Sequence, residues 1–166
     1  MANTYELISS VSLSSAAASI TFTSIPQTYN DLILKLSART VAGSDDSFYV
    51  YYNSNTSNYS GRRLYSNGTS TGSDQPTYFG TVPYNSLTAN IFGNAEAYMC
   101  NYASTTIQKV ANTFAVQENN SSFSVSTLVA NLWNDTTAIT SLLIESFTGS
   151  NFMAYSTATL YGIKNS

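Results

Sequence analysis

Alternation of apolar and polar side chains at period two predicts an all-β protein: an antiparallel β-sandwich of jelly-roll type with about ten strands. Three observations carry that expectation. Leu32, Leu34, Leu36 and Ala38 share one face of a segment whose other face carries Asp31, Lys35, Ser37 and Arg39. Clusters of Asn, Ser, Asp and Gly break the chain at the spacing of short strands. No stretch is a convincing helix, since the run around Ala16, Ala17 and Ala18 is too short to be stable as one.

The first strand is expected over Tyr5 to Leu13, followed by the small-residue connection Ser14 to Ser19. Ile20 and Phe22 then alternate with Thr21 and Thr23, and Pro26, which lacks a backbone N–H, suits the strand end before Leu32. Ser47 to Asn53 places Phe48, Val50 and Tyr52 on one side and Tyr49 and Tyr51 on the other, which implies cover on both faces. Arg62-Arg63-Leu64-Tyr65 reads as a short edge strand between two loops, Asn53 to Gly61 and Ser66 to Pro76, because adjacent arginines discourage edge-to-edge pairing. Thr77 to Val82 is a short strand stopped by Pro83. Asn90 to Tyr102 is longer and carries a small-residue face at Gly93, Ala95 and Ala97. Thr106 to Glu118 sets Val110, Phe114 and Val116 on one face and forms a hairpin with Ser122 to Trp133 across the turn Asn119-Asn120-Ser121. The apolar parity changes between Val125 and Leu128, the mark of a bulge. Ile139 to Phe147 and Ser156 to Ile163 close the chain. A single Trp and a single Cys argue against an immunoglobulin domain, and no fixed-period repeat supports a propeller.

The 166 residues suit one domain spanning 1–166. Charged residues are 9% of the chain, well under the usual quarter, so the surface is polar but nearly uncharged. Hydroxyls and amides cost less to desolvate than ions, which favours close protein or sugar contact, although a Thr- and Tyr-rich β-protein has this composition anyway. With six Lys and Arg and a net charge of −3, phosphate neutralisation is a poor basis for binding, and no nucleic-acid partner is expected. The chain has no histidine, which excludes His-based triads and His metal sites. Cys100 is the sole cysteine, expected as a small buried apolar residue, so no disulfide closes within the chain. Met1 to Glu6 shows neither a basic nor an apolar leader segment, and no apolar run is long enough to span a bilayer; synthesis in the cytosol without a membrane partner is expected.

Catalytic and metal chemistry find little support in the pattern. Glu96, Glu118 and Glu145 lie in expected strands, where two carboxylates facing each other would suit glycoside hydrolysis, but no spacing singles out a pair. Asp45-Asp46 and Asn134-Asp135 offer oxygen ligands to a cation, yet turn formation explains both. No cofactor is expected. Asn-X-Ser/Thr patterns such as Asn55-Thr-Ser57 arise by chance in so Asn- and Ser-rich a chain. Tyr59, Arg62, Arg63 and Tyr65 are the candidate exposed loop contacts, and Gly93, Ala95 and Ala97 the candidate face for a neighbouring sheet or subunit. The tyrosines of the first half, Tyr49 to Tyr84, suit a core, a protein interface or glycan stacking.

Several segments resemble a group of small virion proteins of tailed bacteriophages. They are Tyr5-Glu-Leu-Ile-Ser-Ser-Val-Ser-Leu-Ser-Ser15, Ile20-Thr-Phe-Thr-Ser-Ile-Pro-Gln-Thr-Tyr-Asn-Asp-Leu32, Ser37-Ala-Arg39, Asn94-Ala-Glu-Ala-Tyr-Met-Cys-Asn-Tyr102, Leu132-Trp-Asn-Asp-Thr-Thr137 and Ser156-Thr-Ala-Thr-Leu-Tyr-Gly-Ile-Lys164. The resemblance implies a jelly-roll-type structural protein without catalytic residues, made in the host cytoplasm and residing in the virion. Its expected role is capsid decoration or cement, as a homo-oligomer and specifically a homotrimer, partnered by the major capsid protein or other virion proteins. The alternative is a tail-fibre or spike module that binds host surface glycans.

Overall fold

Residues 4–120 and 124–164 are described by a computed structural model. They form twelve strands and no helix: β1 (Tyr5–Ser12), β2 (Ser19–Phe22), β3 (Asp31–Ala38), β4 (Asp46–Tyr52), β5 (Tyr59–Ser66), β6 (Thr71–Asp74), β7 (Gly80–Val82), β8 (Gly93–Met99), β9 (Lys109–Gln117), β10 (Val125–Trp133), β11 (Leu142–Ser146) and β12 (Thr157–Ile163). All neighbours pair antiparallel. One sheet has eight strands in the order β1-β12-β3-β8-β9-β10-β5-β6, the other four in the order β2-β11-β4-β7. The all-β sandwich expected from the alternation is the observed class.

The inner faces follow from period two. β3 sends Leu32, Leu34 and Leu36 inward; β4 answers with Phe48, Val50 and Tyr52, and β11 with Leu142 and Ile144. β2 and β3 flank the Pro26 turn but join different sheets, so the turn crosses the sandwich rather than making a hairpin. Some of the polar side chains that enter are hydrogen-bonded: Thr81 Oγ1 donates to Gln117 Oε1 at 2.6 Å, and Asn131 Nδ2 to the Tyr78 carbonyl at 3.1 Å.

Three expectations are corrected. The segment Ser66 to Pro76 is not all loop, because it contains β6, which takes the edge; Arg62 and Arg63 therefore lie on an eight-residue, penultimate β5. β10 runs in unbroken register against β9 and β5, without a bulge at Val125–Leu128; the irregularity of register is in β1, between Leu7 and Ser9. The change of apolar parity means instead that Leu128 points outward. The hairpin of β9 and β10 is as expected, although Ser121 of its turn and Ser122 lie outside the described residues.

Two buried cations hold the loops without a carboxylate. Arg39, expected on a polar face, is 3% exposed, and its guanidinium donates to the carbonyls of Thr88 (2.7 Å), Leu87 (2.8 Å), Ile91 (3.0 Å) and Asn85 (3.2 Å). Lys109 Nζ donates to Ile107 (2.6 Å), Ser104 (2.7 Å) and Thr136 (3.0 Å). Burial pushes both pKa values down. Arg39→Met should leave four carbonyls short of a donor and lower stability by about 3 kcal/mol, read by chemical denaturation. A loss under about 0.5 kcal/mol, the scale of an ordinary surface change, would show that the clamp is idle.

Candidate functional site

The outer face of the eight-stranded sheet is where the pattern departs from a solvated surface. On β9 the small and polar side chains Ala111, Thr113, Ala115 and Gln117 point inward, while Val110 and Phe114 are 44% and 54% exposed. β10 repeats the inversion: Val125, Thr127, Val129 and Asn131 are buried, and Leu128 is 51% exposed. The register then assembles a row. Leu128 sits opposite Phe114 on one side and Leu64 on the other, and Leu64 is 61% exposed. Beyond Phe114 the row continues through Glu96 to Lys35. Cross-strand neighbours at this spacing touch, so Leu64, Leu128 and Phe114 form one apolar patch.

The patch is hollowed. One depression of about 610 Å³ is lined by Arg62, Leu64, Asp74, Asn112, Leu128 and Ala130 among others. A second, of about 400 Å³, runs over Phe114 and Leu128 to Asn94 and the Lys35–Glu96 ion pair (3.1 Å). Beside it Tyr98 donates to Asp31 Oδ2 at 2.6 Å; that hydrogen bond first, then burial, pushes the phenol up to about 12.

The structure separates the candidate residues. Ala95 and Ala97 are 4% and 1% exposed in the sandwich core, and a Cβ on buried Gly93 would sit 2.6 Å from Pro83 Cδ. The neighbour of this small face is therefore the opposing layer of the same chain, and a subunit interface there is corrected: no surface is left. Tyr59, Arg62, Arg63 and Tyr65 all lie on β5 rather than in a loop. Tyr59 packs on Trp133 (6.2 Å, stacked), and its hydroxyl accepts from the Tyr52 amide at 2.7 Å, so it belongs to the packing. Arg63 lies over the Tyr65 ring at 4.4 Å and grips Asp74, with Nε 2.9 Å from Oδ1 and Nη2 against Oδ2. Arg62 alone of the four is exposed; the other three are half-buried. Leu64, between these candidates, was the informative neighbour, and Phe114 and Leu128 carried the missed signal: bulky side chains in register with one another and out of phase with a small-residue face.

Other candidates are placed elsewhere. Glu96 is on the outer face of the large sheet, Glu145 on that of the small sheet, and Glu118 at the end of β9, accepting from the Asn119 and Asn120 amides. Asp46 accepts from Ser47, Ser146 and Thr148, and Asp135 from the Thr137 amide, as turn formation requires. No group of three or more His, Cys, Asp or Glu that could hold a metal lies among the described residues. Cys100 is half-buried, not buried, with Sγ 3.7 Å from the Val110 carbonyl. Stacking a sugar requires open ring faces. Tyr49 and Tyr51 stack on each other (4.9 Å, 20°), and Phe147 and Tyr78 extend the cluster by tilted and edge contacts, so those rings are partly occupied. The chain matches no family model, no curated protein and no solved structure.

Two outcomes test this geometry. Leu128→Thr and Phe114→Thr should each change stability by under about 0.5 kcal/mol, whereas Ala115→Leu, which overfills the inner face, should cost about 1–3 kcal/mol by denaturant titration. Equal costs would mean that the faces are assigned the wrong way round. Tyr98 has its pKa raised on folding, so its contribution is complete below the ordinary value near 10.0 and lost as pH rises towards about 12. Tyr98→Phe should accordingly flatten the fall of stability across that window and remove one late-titrating phenol from the tyrosinate absorbance; an unchanged profile would show that the Asp31 bond is not formed.

Proposed function

We propose that the chain is a non-enzymatic structural protein of a phage particle, acting as a decoration or cement protein that stabilises the head through protein–protein contacts. The observation that carries this is the outward apolar row Leu64, Leu128 and Phe114 on the eight-stranded sheet. A soluble sheet face normally shows water its polar side chains, and a contiguous apolar patch rimmed by polar groups marks a contact surface. The likeness to small virion proteins supports the same reading.

The topology supports it too. Set aside the β5–β6 and β9–β10 hairpins, and the remaining eight strands alternate between sheets in chain order except at β4 and β7, which follow each other within the small sheet, giving β1-β12-β3-β8 and β2-β11-β4-β7. We read this as jelly-roll winding, with the two hairpins widening one sheet into the platform that bears the patch. A homotrimer, with each copy turning its platform to the major capsid protein, fits a role repeated over a shell.

Quantitative mass analysis of purified particles that contain the protein tests this. The expected copy number is a simple ratio to the major capsid protein; a number fit only for a tail structure overturns the head assignment. In the same preparations Leu128→Asp together with Phe114→Asp should abolish incorporation of an otherwise folded protein, and normal incorporation would remove this face as the contact.

A further inference from the structure

The depression beside Leu64 and Leu128 is not electrically neutral. Arg62 and Arg63 against Asp74 leave one positive charge among its lining residues, on a chain whose net charge is −3. The Asp74 carboxylate is already engaged by Arg63 through two nitrogens. Arg62 donates Nη1 to the carbonyl of Gly61 at 2.8 Å and enters no ion pair among the described residues. The remaining cations are all engaged: Lys35 by Glu96, Lys164 by Glu6, and Arg39 and Lys109 by backbone carbonyls. Among the described residues Arg62, with one carbonyl and no carboxylate, is therefore the least engaged side-chain cation, and it stands at the rim of an apolar hollow.

We propose that this hollow docks a segment of a protein partner that presents an apolar side chain with an Asp or Glu beside it. The inference rests on the outer face being a protein contact and names the partner's chemistry there. The apolar side chain sits among Leu64, Leu128 and Ala130, and the carboxylate meets the guanidinium of Arg62. A planar guanidinium takes a carboxylate through two parallel bonds, and burial of the apolar neighbour shields the pair from water. Asn112 and Gln75, which also line the hollow, offer amide groups to the segment's backbone. A second copy docked face to face fits less well, because an isologous contact sets two hollows of the same sign against each other. A nucleic acid fits less well again, since Asp74 lines the hollow, Glu96 lines the depression beside it and the chain is acidic overall.

Selection of a displayed random-peptide library on the immobilised full chain tests the assignment. Wild type should enrich peptides with Leu, Ile, Phe or Met next to Asp or Glu. Arg62→Glu should lose that enrichment and favour Lys or Arg at the same place, and Leu128→Asp should abolish it. A synthetic peptide of the enriched sequence should bind Arg62→Glu at least about tenfold more weakly than wild type by fluorescence anisotropy, with Arg62→Lys in between. Enrichment without an acidic residue, or the same enrichment on Arg62→Glu, overturns the proposal. So does a wild-type oligomer that Leu128→Asp dissociates in sedimentation, which would identify a second copy as the occupant. Incorporation into particles separates the two levels. If Leu128→Asp abolishes incorporation while Arg62→Glu leaves it intact, the contact face stands and the acidic partner falls; if both variants incorporate normally, the contact face falls as well.

Discussion

The close approach of one short stretch of backbone governs this molecule. Pro76 to Val82 returns from the edge hairpin and lies across the inner face of the large sheet, where β7 packs on β8, β9 and β10. The gap is narrow. A Cβ on Gly80 would sit 2.7 Å from the Ala115 Cβ and 2.9 Å from the Phe48 ring, and one on Gly61 would run into the Pro76 carbonyl. Only small side chains fit under such a strand, hence Ala95, Ala97, Ala111, Thr113 and Ala115 inside. Core volume comes instead from the other end, where Leu32, Leu34, Leu36, Phe48, Tyr52 and Trp133 pack.

That constraint reaches the surface. A strand alternates faces, so a β9 whose central inner positions, Ala111, Thr113 and Ala115, are restricted to small residues can vary freely only at its outer ones. Val110 and Phe114 occupy those outer positions, and the antiparallel register lines Leu128 up with Phe114 and Leu64. The same economy of charge holds throughout the interior. Asp31, Asp46, Arg39 and Lys109 are buried, yet none is paired with an opposite charge; each is matched by hydroxyls, amides or carbonyls. The few charges left outside are mostly tied in surface pairs of modest worth, and this makes the unpaired Arg62 conspicuous.

Much of this was legible in the residues, and the reasons for the failures are physical. The alternation in β3 gave the strand and its inner face; in β4 it gave the strand but not the face, because Phe48, Val50 and Tyr52 alternate with the equally bulky Tyr49 and Tyr51, which are half-buried rather than covered as expected. In β8 the small face was seen but referred to a neighbour of unknown kind; sequence cannot tell a returning segment of the same chain from a second subunit. In β9 and β10 apolar periodicity marks a face but not a direction, because the usual equation of apolar with inward fails when the interior is too shallow for Leu or Phe. The parity change at Leu128 then resembles a bulge. β6 is not legible in the sequence because Thr71-Gly-Ser-Asp74 has the composition of a loop and is a strand only through its pairing with β5. Arg62 was picked out by charge, its partner residues Leu64 and Leu128 only by register.

The energetics of the patch favour use in a repeated setting. Leu64, Phe114 and Leu128 are each a little over half exposed, so completing their burial is worth about 1 kcal/mol apiece. Three such side chains give about 3 kcal/mol, with one charged hydrogen-bonded pair adding about 1.5–3 kcal/mol. Association of two free molecules forfeits at least about 4 kcal/mol of translational and rotational freedom. A single docking event of this size is therefore weak, and the chain need not aggregate through its exposed row. Arranged as a symmetric oligomer over a lattice of identical sites, the second and third contacts are intramolecular and escape most of that loss. On the proposed role, a patch of this size holds the protein through many repeated contacts while each single contact stays weak. The hollow beside Leu64 and Leu128, with Arg62 at its rim on a low-charge surface, suits that balance.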